Sequence, residues 1–430
     1  MNSIKLTNFH SIINCIFILI ISILLGTILL VGVYSLPISL MKENVARSSS
    51  IFDYEGVYPQ LVQGYKSSQL DNCTDAIMLG TAIEPGNGDS VVRRAMINQR
   101  IEFKGETPVQ SLNDYANDVG GKEESKFYAE YGRYWHGYLV ILKPLLLLFD
   151  YGDLRYINII FQSILIGWLV ALLIEQKLKR VAVAFGISLL ILNPIAVMLS
   201  LQFSSVYYLM LFACIIIIKQ KAHIIYSSKY FIYFFFLLGI LTSFFDFLTY
   251  PAITLGILLI LFLAVNENIT IYVKLKGIFK AVIFWGLGYG GMWSGKWLIA
   301  SLLLKSNMFA DAFSNILFRT SMEKDGDKLN WGLVIWRNVR VLLKWPFIIL
   351  GIIILLFVLL CLIKSGLNGK SKEVMKRIIP YFIISLIPFA WYFFMGNHSY
   401  EHYWFTFREL GITCFSALIC LFYVPQKLKL

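Results

Sequence analysis

The chain has 430 residues, of which 58% are hydrophobic and 15% are charged. Soluble domains average about 45–50% apolar and about 25% charged residues, so this composition excludes an ordinary soluble globular protein. The net charge of +12 does not require a nucleic-acid partner, because lysine and arginine accumulate on the cytoplasmic loops of membrane proteins. We therefore expect an all-α polytopic membrane protein that contacts the lipid bilayer and no nucleic acid.

Ten apolar runs approach the roughly 20 residues that an α-helix needs to cross a bilayer. They cover 12–36, 156–174, 181–199, 202–219, 229–247, 251–265, 281–303, 345–364, 379–395 and 405–424. The first run is too long for the hydrophobic part of a signal peptide and lacks a small-x-small cleavage site, which favours a retained helix. The sequence thus predicts about ten transmembrane helices in one integral membrane domain, 1–430.

The distribution of basic residues predicts the orientation of these helices. Basic connections such as "EQKLKR" (175–180) and "KSGLNGKSKEVMKR" (364–377) fall on one side if every run spans. An excess of lysine and arginine marks the cytoplasmic side, so both chain termini are predicted to be cytoplasmic. The resulting order is the first helix (12–36), a large extracytoplasmic loop (37–155), helices two to seven (156–303), an extracytoplasmic segment (304–344) and helices eight to ten (345–424).

One further apolar run, "GYLVILKPLLLLF" (137–149), is short and contains Lys143 and Pro144. Counting it as a span would place "EQKLKR" on the extracytoplasmic side, against the positive-inside rule. We therefore predict an interfacial helix that lies on the outer surface of the membrane. Since the cytoplasmic loops are short and basic, the chemistry is expected on the outer face.

Three aspartates of the large loop are candidate catalytic carboxylates. Asp53 lies in "SSSIFDYEG", and Asp71 and Asp75 lie in "LDNCTDAIMLGTAI". Asp71 and Asp75 are four residues apart and share one face of a helix. Two like charges there are unfavourable unless a cation or a proton lies between them. The alternative for Asp71 is an N-terminal helix cap.

Several charged residues near the predicted membrane surface are candidates for substrate or phosphate binding. Arg133 and His136, in "EYGRYWHG", form either an anion-binding pair or part of an aromatic belt with a snorkelling arginine. Asp246, at the outer end of an apolar run, either has a charged partner or caps the next helix. Arg319 belongs to a segment in which tryptophans and basic residues either anchor to lipid headgroups or clamp a phosphate.

The stretch "GNHSYEHYWFTFRE" (396–409) concentrates titratable groups between two apolar runs. His398 and His402 are four residues apart, so a helix would align them as two ligands of a metal. The sequence "HSYEH" lacks the glutamate beside the first histidine that a zinc protease motif requires. With Arg408 following, the stretch is better interpreted as a site for a phosphorylated ligand, and no metal site is assigned.

The order of these features resembles the GT-C superfamily of integral membrane glycosyltransferases over roughly residues 12–250. The resemblance rests on "WHGYLVILKPLLLLF" with His136 at its head, "DYGDLRYIN" with Arg155, "LNP" near the end of the third span and "QFSSVYY" opening the fourth. No paired acidic residues follow the first helix directly, and Gly137 replaces the prolines that follow this histidine in the family. The catalytic carboxylate therefore stays open between the three aspartates of the loop.

The resemblance implies transfer of a sugar from a polyprenyl-phosphate or pyrophosphate carrier to a glycan, lipid or protein acceptor. Richness in Ile, Lys and Asn is typical of an AT-rich bacterial genome, so we expect the bacterial cytoplasmic membrane with the active site outside. Asp75 would act as general base with Asp71 orienting, and cationic groups would stabilise the departing phosphate. The phosphate ligands would be Arg133, His136, His398, His402 and Arg408. A divalent metal such as Mg²⁺ or Mn²⁺ is compatible with this chemistry but not required by it.

Two alternative functions stay open at this point. A transporter or flippase of lipid-linked precursors would carry ionisable groups in mid-span, broken helices and internal repeats, whereas the spans here are nearly free of charge. A polymerase or ligase of lipid-linked oligosaccharides also uses outer loops and arginines. Its largest outer loop normally comes late in the chain, whereas here it follows the first helix.

Overall fold

The fold is built almost entirely of α-helices, with two short antiparallel β-ribbons. The computed structural model describes residues 2–221, 223–226, 228–266, 269–324, 326–367 and 371–422. The helices are α1 (Asn2–Tyr34), α2 (Ile38–Arg47), α3 (Ser49–Glu55), α4 (Asn72–Ala82), α5 (Val91–Ile97), α6 (Pro108–Ala116), α7 (Leu139–Leu146), α8 (Tyr151–Glu175), α9 (Lys179–Leu192), α10 (Pro194–Met198), α11 (Leu201–Lys219), α12 (Lys229–Phe245), α13 (Ile253–Val265), α14 (Ile271–Leu304), α15 (Met308–Thr320), α16 (Trp331–Val339), α17 (Trp345–Leu367), α18 (Ser371–Ser385), α19 (Ile387–Phe394), α20 (Gly396–Glu401), α21 (Tyr403–Thr406) and α22 (Leu410–Phe422). Single 3₁₀ turns lie at Lys66–Ser68, Glu123–Ser125, Arg340–Leu342 and Phe407–Glu409. Strand β1 (Arg100–Phe103) pairs with β2 (Lys126–Ala129), and β3 (Glu323–Lys324) pairs with β4 (Asp327–Lys328).

The predicted apolar runs coincide with helical segments wherever the structure describes them. The run 181–199 is divided between α9 and α10 at Asn193, which adopts a left-handed conformation with φ 52° before Pro194. Proline is favoured at the first position of a helix but ends the one before it. The residues 423–424 of the last run and the C-terminal tail lie outside the described residues.

Among the described residues, five helical segments are long and apolar enough to cross a membrane. They are His10–Tyr34, Tyr151–Glu175, Leu201–Lys219, Met375–Phe394 and Tyr403–Leu421. Two shorter apolar helices, α12 and α13, accompany them. These helices support an all-α membrane protein, while ten spans and their orientation in the membrane stay predictions.

The centre of the bundle is α13, in which every residue from Ile253 to Ala264 is buried. Beside it, α12 and α14 approach each other through glycines. A Cβ atom on Gly239 would lie 2.1 Å from the carbonyl oxygen of Trp285, and one on Gly288 would lie 2.1 Å from that of Phe236. Small residues let two helix backbones come this close, so this glycine pair sets the spacing of the two helices.

The connections at one end of the helices assemble into what we name the polar layer: residues 35–150, 246–252, 305–344 and 395–409. Helix α14 ends in this layer, where it contacts α5 and α15, and α20 contacts both α15 and α16. The basic connections 176–178 and, among the described residues, 220–221, 223–226 and 228 lie at the opposite end, because α8 and α11 leave the layer and α12 returns to it. The candidate residues that the sequence singles out therefore gather at one end of the bundle.

The predicted interfacial run 137–149 contains the short helix α7, which is half embedded in the polar layer. Ile141 is 56% exposed and Leu148 is 74% exposed. Lys143 is fully buried instead of snorkelling, and its ammonium donates a 2.5 Å hydrogen bond to the carbonyl of Ala82. Burial lowers the pKa of Lys143 to about 7. The hydrogen bond to Ala82 fastens α7 to the end of α4.

The close approach of α12 and α14 makes a stability prediction. Gly288→Ala should destabilise the protein by about 1–3 kcal/mol, because an added methyl group in a filled contact forces the helices apart. Gly290→Ala is the matched control, since a Cβ atom there meets nothing within 4 Å. Thermal unfolding of the purified protein in detergent would measure both. Equal unfolding midpoints for the two variants would contradict this account of the helix contact.

Candidate functional site

Asp75 belongs to α4, is completely buried and places its carboxylate at the N-terminus of α11. Its carboxylate accepts hydrogen bonds from the backbone N–H groups of Leu201 and Gln202, both at 2.9 Å, and from the hydroxyls of Ser200 at 3.1 Å and Tyr151 at 2.7 Å. The first N–H groups of a helix have no partner within the helix and favour a negative charge. The carboxylate therefore joins α4 to the bundle, and its assignment as general base stays a prediction.

A chain of hydrogen bonds continues from Asp75 to a partly buried ion pair, Glu55–Arg155, that the sequence did not single out as a pair. Arg155 donates to both oxygens of Glu55, at 2.6 and 2.9 Å, and to the hydroxyl of Tyr151 at 2.9 Å. Burial opposes ionisation of Glu55, but hydrogen bonds from Arg155 and Asn72 and the charge of Arg155 together lower its pKa. Two parallel bonds of this kind fix geometry as well as charge. The pair anchors the end of α3 against α8.

Asp71 caps the N-terminus of α4, as one of the two sequence interpretations predicts. One carboxylate oxygen accepts from the backbone N–H of Thr74 at 3.0 Å. The other accepts from the indole N–H of Trp404 at 3.3 Å, across a sequence separation of 333 residues. Burial raises the pKa of Asp71 to about 6. The carboxylate loop and the stretch 396–409 therefore touch through this aspartate.

Asp53, the third candidate carboxylate, lies on the surface of the polar layer. It is exposed, and one of its oxygens accepts a 2.7 Å hydrogen bond from the side-chain amide of Asn113 in α6. This contact holds α3 against α6. Asp53 is not among the residues that line the cavity of Arg133 and Arg319.

Arg133 and Arg319 line one cavity of about 130 Å³. Aromatic side chains of Tyr134, Trp293 and Trp297 form much of its wall. The indole N–H of Trp297 donates a 2.9 Å hydrogen bond to the carbonyl of Arg133, which fixes the backbone there. The Nε atom of Arg133 is buried without a hydrogen-bond partner. The cavity thus combines two guanidinium groups with aromatic faces.

Arg319 also connects the cavity to the histidines of the stretch 396–409. Its guanidinium donates to Nε2 of His402 at 2.7 Å, so that nitrogen carries no proton. Burial and the charges of Arg319 and Lys324 lower the pKa of His402 to about 3. His398 donates from Nε2 to the carbonyl of Leu248 at 2.8 Å, and burial places its pKa well below the ordinary value. Both imidazoles are therefore neutral near pH 7.

The two histidines are aligned as the four-residue spacing predicts, with ring centroids 4.7 Å apart. The part of the chain that the structure describes contains no group of three or more His, Cys, Asp or Glu side chains that could hold a metal ion. Because neutral imidazoles carry no charge, His398 and His402 would contact a phosphate as hydrogen-bonding groups and not as cations. The use of Mg²⁺ or Mn²⁺ stays a prediction.

His136 lies behind the cavity wall and is fully hydrogen-bonded. It donates from Nε2 to the carbonyl of Tyr131 and accepts at Nδ1 from the hydroxyl of Tyr138, both at 2.9 Å. Burial lowers its pKa well below the ordinary value. The next residue must be glycine, since a Cβ atom on Gly137 would lie 2.5 Å from the carbonyl oxygen of Phe244. The backbone N–H of Gly137 donates to that same oxygen at 2.9 Å, a bond that the family's proline could not make.

Asp246 is the carboxylate that lies next to the cavity along the chain, two residues before the cavity-lining Leu248. One oxygen accepts from the N–H and the hydroxyl of Thr249, at 3.0 and 2.6 Å. The other oxygen is buried without a hydrogen-bond partner. Burial raises the pKa of Asp246 to about 6. An unpaired buried oxygen is costly, so Asp246 is a candidate for contact with a ligand.

Glu409 is a second buried carboxyl group with an unpaired oxygen, and the sequence interpretation missed it. Its Oε1 atom accepts from the backbone N–H of Ala252 at 3.0 Å, whereas Oε2 has no partner. Asp246 and the hydroxyl of Tyr289, which is also unpaired, are close enough to interact with it electrostatically. The glutamate is visible in "FRE", but no local pattern indicates that one of its oxygens is buried without a partner.

Arg408 is fully buried and lies away from the cavity wall. Its guanidinium donates to the carbonyls of Leu192 at 2.9 Å, Trp404 at 3.1 Å and Ser67 at 3.5 Å. It also stacks 4.2 Å from the ring centroid of Phe203. The side chain therefore joins the loop, α9 and the stretch 396–409 in one contact.

An apolar groove of about 520 Å³ runs between α7, α8 and α11. Its walls include Met78, Ile141, Phe161, Leu201 and Phe212. Ile141 and Phe161 are more than half exposed, so the groove opens to the surface of the bundle. Tyr138 lines the groove and donates to His136, and His136 lies beside Tyr134 of the cavity.

The burial of Asp75 leads to a prediction that distinguishes a structural role of this residue from a catalytic one. Asp75→Asn should lower the free energy of unfolding by about 1–3 kcal/mol, because the new amide hydrogens face hydrogen-bond donors in a buried site. Asp53→Asn, on the surface, should change it by no more than about 0.5 kcal/mol. Chemical unfolding of the purified protein in detergent would measure both. A stable Asp75→Asn protein that has lost activity would instead support a catalytic role for Asp75.

The structure thus places Arg133 and Arg319 in one cavity. His402 contacts Arg319, His398 contacts the wall residue Leu248, and His136 lies beside the wall residue Tyr134. Asp246 precedes Leu248 by two residues. It places Asp71, Asp75 and Arg408 in contacts that hold the polar layer together. Comparison with models of protein families, with curated proteins and with solved structures finds no match to this chain.

Proposed function

We propose that this protein is a membrane glycosyltransferase. It would move a sugar from a polyprenyl-phosphate or pyrophosphate carrier to a glycan, lipid or protein acceptor at the outer face of a bacterial cytoplasmic membrane. The observation that carries this proposal is the cavity shared by Arg133 and Arg319. Arginine suits a departing phosphate because its planar fork binds two oxygens and stays charged at every physiological pH.

The aromatic wall of the cavity supports a sugar as the second part of the ligand. Tyr134 lies 5.6 Å from Trp293, and Trp293 lies 6.0 Å from Trp297, measured between ring centroids. Such faces cover the apolar side of a sugar ring while their polar edges stay available for hydrogen bonds. The indole N–H of Trp293 is buried without a partner and could donate to a sugar hydroxyl.

The apolar groove would hold the lipid part of the carrier. An isoprenoid chain is apolar and flexible, and a groove with exposed Ile141 and Phe161 admits it from the bilayer. The hydrogen-bonded pair of Tyr138 and His136 lies between the groove and the cavity. A carrier could therefore extend from the groove, past this pair, to a phosphate at the cavity arginines.

Asp246 is the carboxylate that we assign as general base for the acceptor hydroxyl. A base needs a free oxygen near the reacting groups and a pKa near the working pH. Asp246 has an unpaired oxygen and a pKa raised by burial to about 6. By contrast, Asp75 already accepts four hydrogen bonds. The base would take the proton of the acceptor hydroxyl as its oxygen attacks the sugar and the carrier phosphate departs.

A transporter or flippase of lipid-linked precursors is the second candidate. Unpaired buried oxygens on Asp246 and Glu409 favour it, because proton-coupled transporters carry such carboxyl groups within the bundle. The breaks between α9 and α10 and between α18 and α19 are also typical of transporters. Movement of a fluorescent polyprenyl phosphate across vesicles that contain the purified protein, without any sugar transfer, would favour this alternative.

The two cavity arginines provide the main test. Arg133→Gln and Arg319→Gln should each lower sugar transfer by about 10²-fold or more, because each removes a charge that stabilises the departing phosphate. Arg93→Gln is the control, since Arg93 is an exposed arginine of the same layer that pairs with Asp89. Surface-glycan decoration in cells with equal amounts of each variant in the membrane would measure the effect. Unchanged decoration with both cavity variants would contradict the proposed function.

Asp246 makes a separate prediction about pH. A general base must be ionised, so activity should fall as the pH drops through about 6, the pKa of Asp246. Asp246→Asn should lower the rate by about 10²–10⁴-fold. The rate of sugar transfer by the purified protein, followed across this pH range, would measure both effects. If Asp246→Asn keeps the rate and the pH profile of the unchanged protein, the base is another carboxylate.

A further inference from the structure

A second group of cationic side chains lies in the polar layer around Tyr403. The guanidinium carbon of Arg337 is 4.5 Å from the ring centroid of Tyr403, that of Arg340 is 5.5 Å away, and the ammonium of Lys66 is 5.9 Å away. The ammonium of Lys344 lies 5.6 Å from the ring centroid of Tyr65, next to Lys66 in the chain. We name Lys66, Arg337, Arg340 and Lys344 the Tyr403 cluster.

The Tyr403 cluster is assembled from segments that are distant in sequence. Lys66 opens the 3₁₀ turn Lys66–Ser68, which contacts both α21 and the 3₁₀ turn Arg340–Leu342. Arg337 lies in the last turn of α16 and also stacks 4.1 Å from the ring centroid of Tyr400. Arg337, Arg340 and Lys344 share the short segment 337–344, and the fold brings Lys66 of the large loop beside them.

The positive charge of this cluster is not neutralised within the described residues. None of its four side chains forms an ion pair with a carboxylate there, and Glu401, the acidic residue of α20, pairs with Lys324 instead. The Nε atom of Arg337 is buried and has no hydrogen-bond partner. Like charges inside one Debye length of about 8 Å repel each other. Cation–π contacts contribute only about 0.5–1 kcal/mol each at exposed sites, so the cluster is incomplete without an anion.

The side chains of the Tyr403 cluster are suited to bind a phosphate-bearing anion. Two guanidinium forks match phosphate oxygens in pairs, and two ammonium groups add charge without directional demands. Around the cluster, Trp336 is 52% exposed, Leu343 is 43% exposed and Trp345 is 76% exposed. Exposed tryptophan beside lysine and arginine is typical of the depth at which lipid headgroups lie. A phosphate at that depth meets the cluster directly.

We propose that Lys66, Arg337, Arg340 and Lys344 form a binding site for a phosphate-bearing anion, separate from the cavity of Arg133 and Arg319. Neighbouring residues of the stretch 396–409 serve the two sites. His402 faces Arg319 of the cavity, whereas Tyr403 faces the cluster. The site does not depend on sugar transfer, and the phosphate belongs either to a lipid headgroup or to a free phosphate compound.

The test uses the full chain with Arg133→Gln and Arg319→Gln already present, so that the cavity does not contribute binding. Inorganic pyrophosphate is the soluble probe, followed by isothermal titration in detergent. The triple variant Arg337→Gln, Arg340→Gln, Lys344→Gln should bind pyrophosphate about tenfold more weakly or worse, since several charge-assisted hydrogen bonds are lost. The matched control is Lys219→Gln, Lys229→Gln, at the opposite end of the helices, where both lysines also lie over aromatic rings.

The lipid source is tested in nanodiscs of phosphatidylcholine with and without phosphatidylglycerol. If phosphatidylglycerol stabilises the protein with the intact cluster but not the triple variant, the site binds a lipid headgroup. If the intact cluster binds pyrophosphate but phosphatidylglycerol does not stabilise the protein, the site binds a free phosphate compound. Lys66→Gln alone, and Arg337→Lys, which keeps the charge but not the fork, serve if the triple variant does not fold. The proposal is overturned if cluster variants respond to both probes as the control does, or if neither probe acts on the protein that carries the intact cluster.

Discussion

The contact between Asp75 and the first turn of α11 is the constraint on which the polar layer depends. Two N–H groups at that helix start meet a carboxylate that arrives from α4. The same carboxylate accepts from Tyr151 at the start of α8, so one side chain fixes three helices relative to one another. Because Asp75 is completely buried, each of these bonds is costly to remove. The large loop is therefore positioned against the bundle before any ligand binds.

The stretch 396–409, which comes late in the chain, contacts the large loop within the polar layer. Trp404 donates to Asp71, and Arg408 donates to the carbonyls of Ser67 and Leu192. A buried guanidinium without a carboxylate is expensive unless its donors are satisfied, and here carbonyl oxygens and the ring of Phe203 surround it. Arg408 thus joins separate segments of the polar layer. Arg133 and Arg319 differ, because they lie at the edge of an open cavity.

The sequence predicts the helices well, because apolar runs of membrane length permit few other structures. It also predicts the alignment of His398 and His402, which follows from helical spacing alone. It could not predict that Trp404 reaches Asp71, since contacts between distant segments leave no local pattern. The Glu55–Arg155 pair was missed for the same reason. Arg408 is the converse case: its contacts with backbone carbonyls come from distant segments that the local sequence does not reveal, and its assignment as a phosphate ligand stays a prediction.

The histidines and the arginines near the cavity differ in charge, and this difference decides what each kind of residue can contribute. Burial keeps His398 and His402 neutral, so neither contributes charge toward a phosphate and neither titrates near pH 7. His402 instead accepts a hydrogen bond from Arg319 and thereby orients that guanidinium. Positive charge at the cavity comes from arginines, which stay protonated over the physiological range. Among the carboxyl groups near the cavity, Asp246 combines an unpaired oxygen with a pKa raised by burial to about 6, and these two properties are the ones that the proposed proton transfer requires.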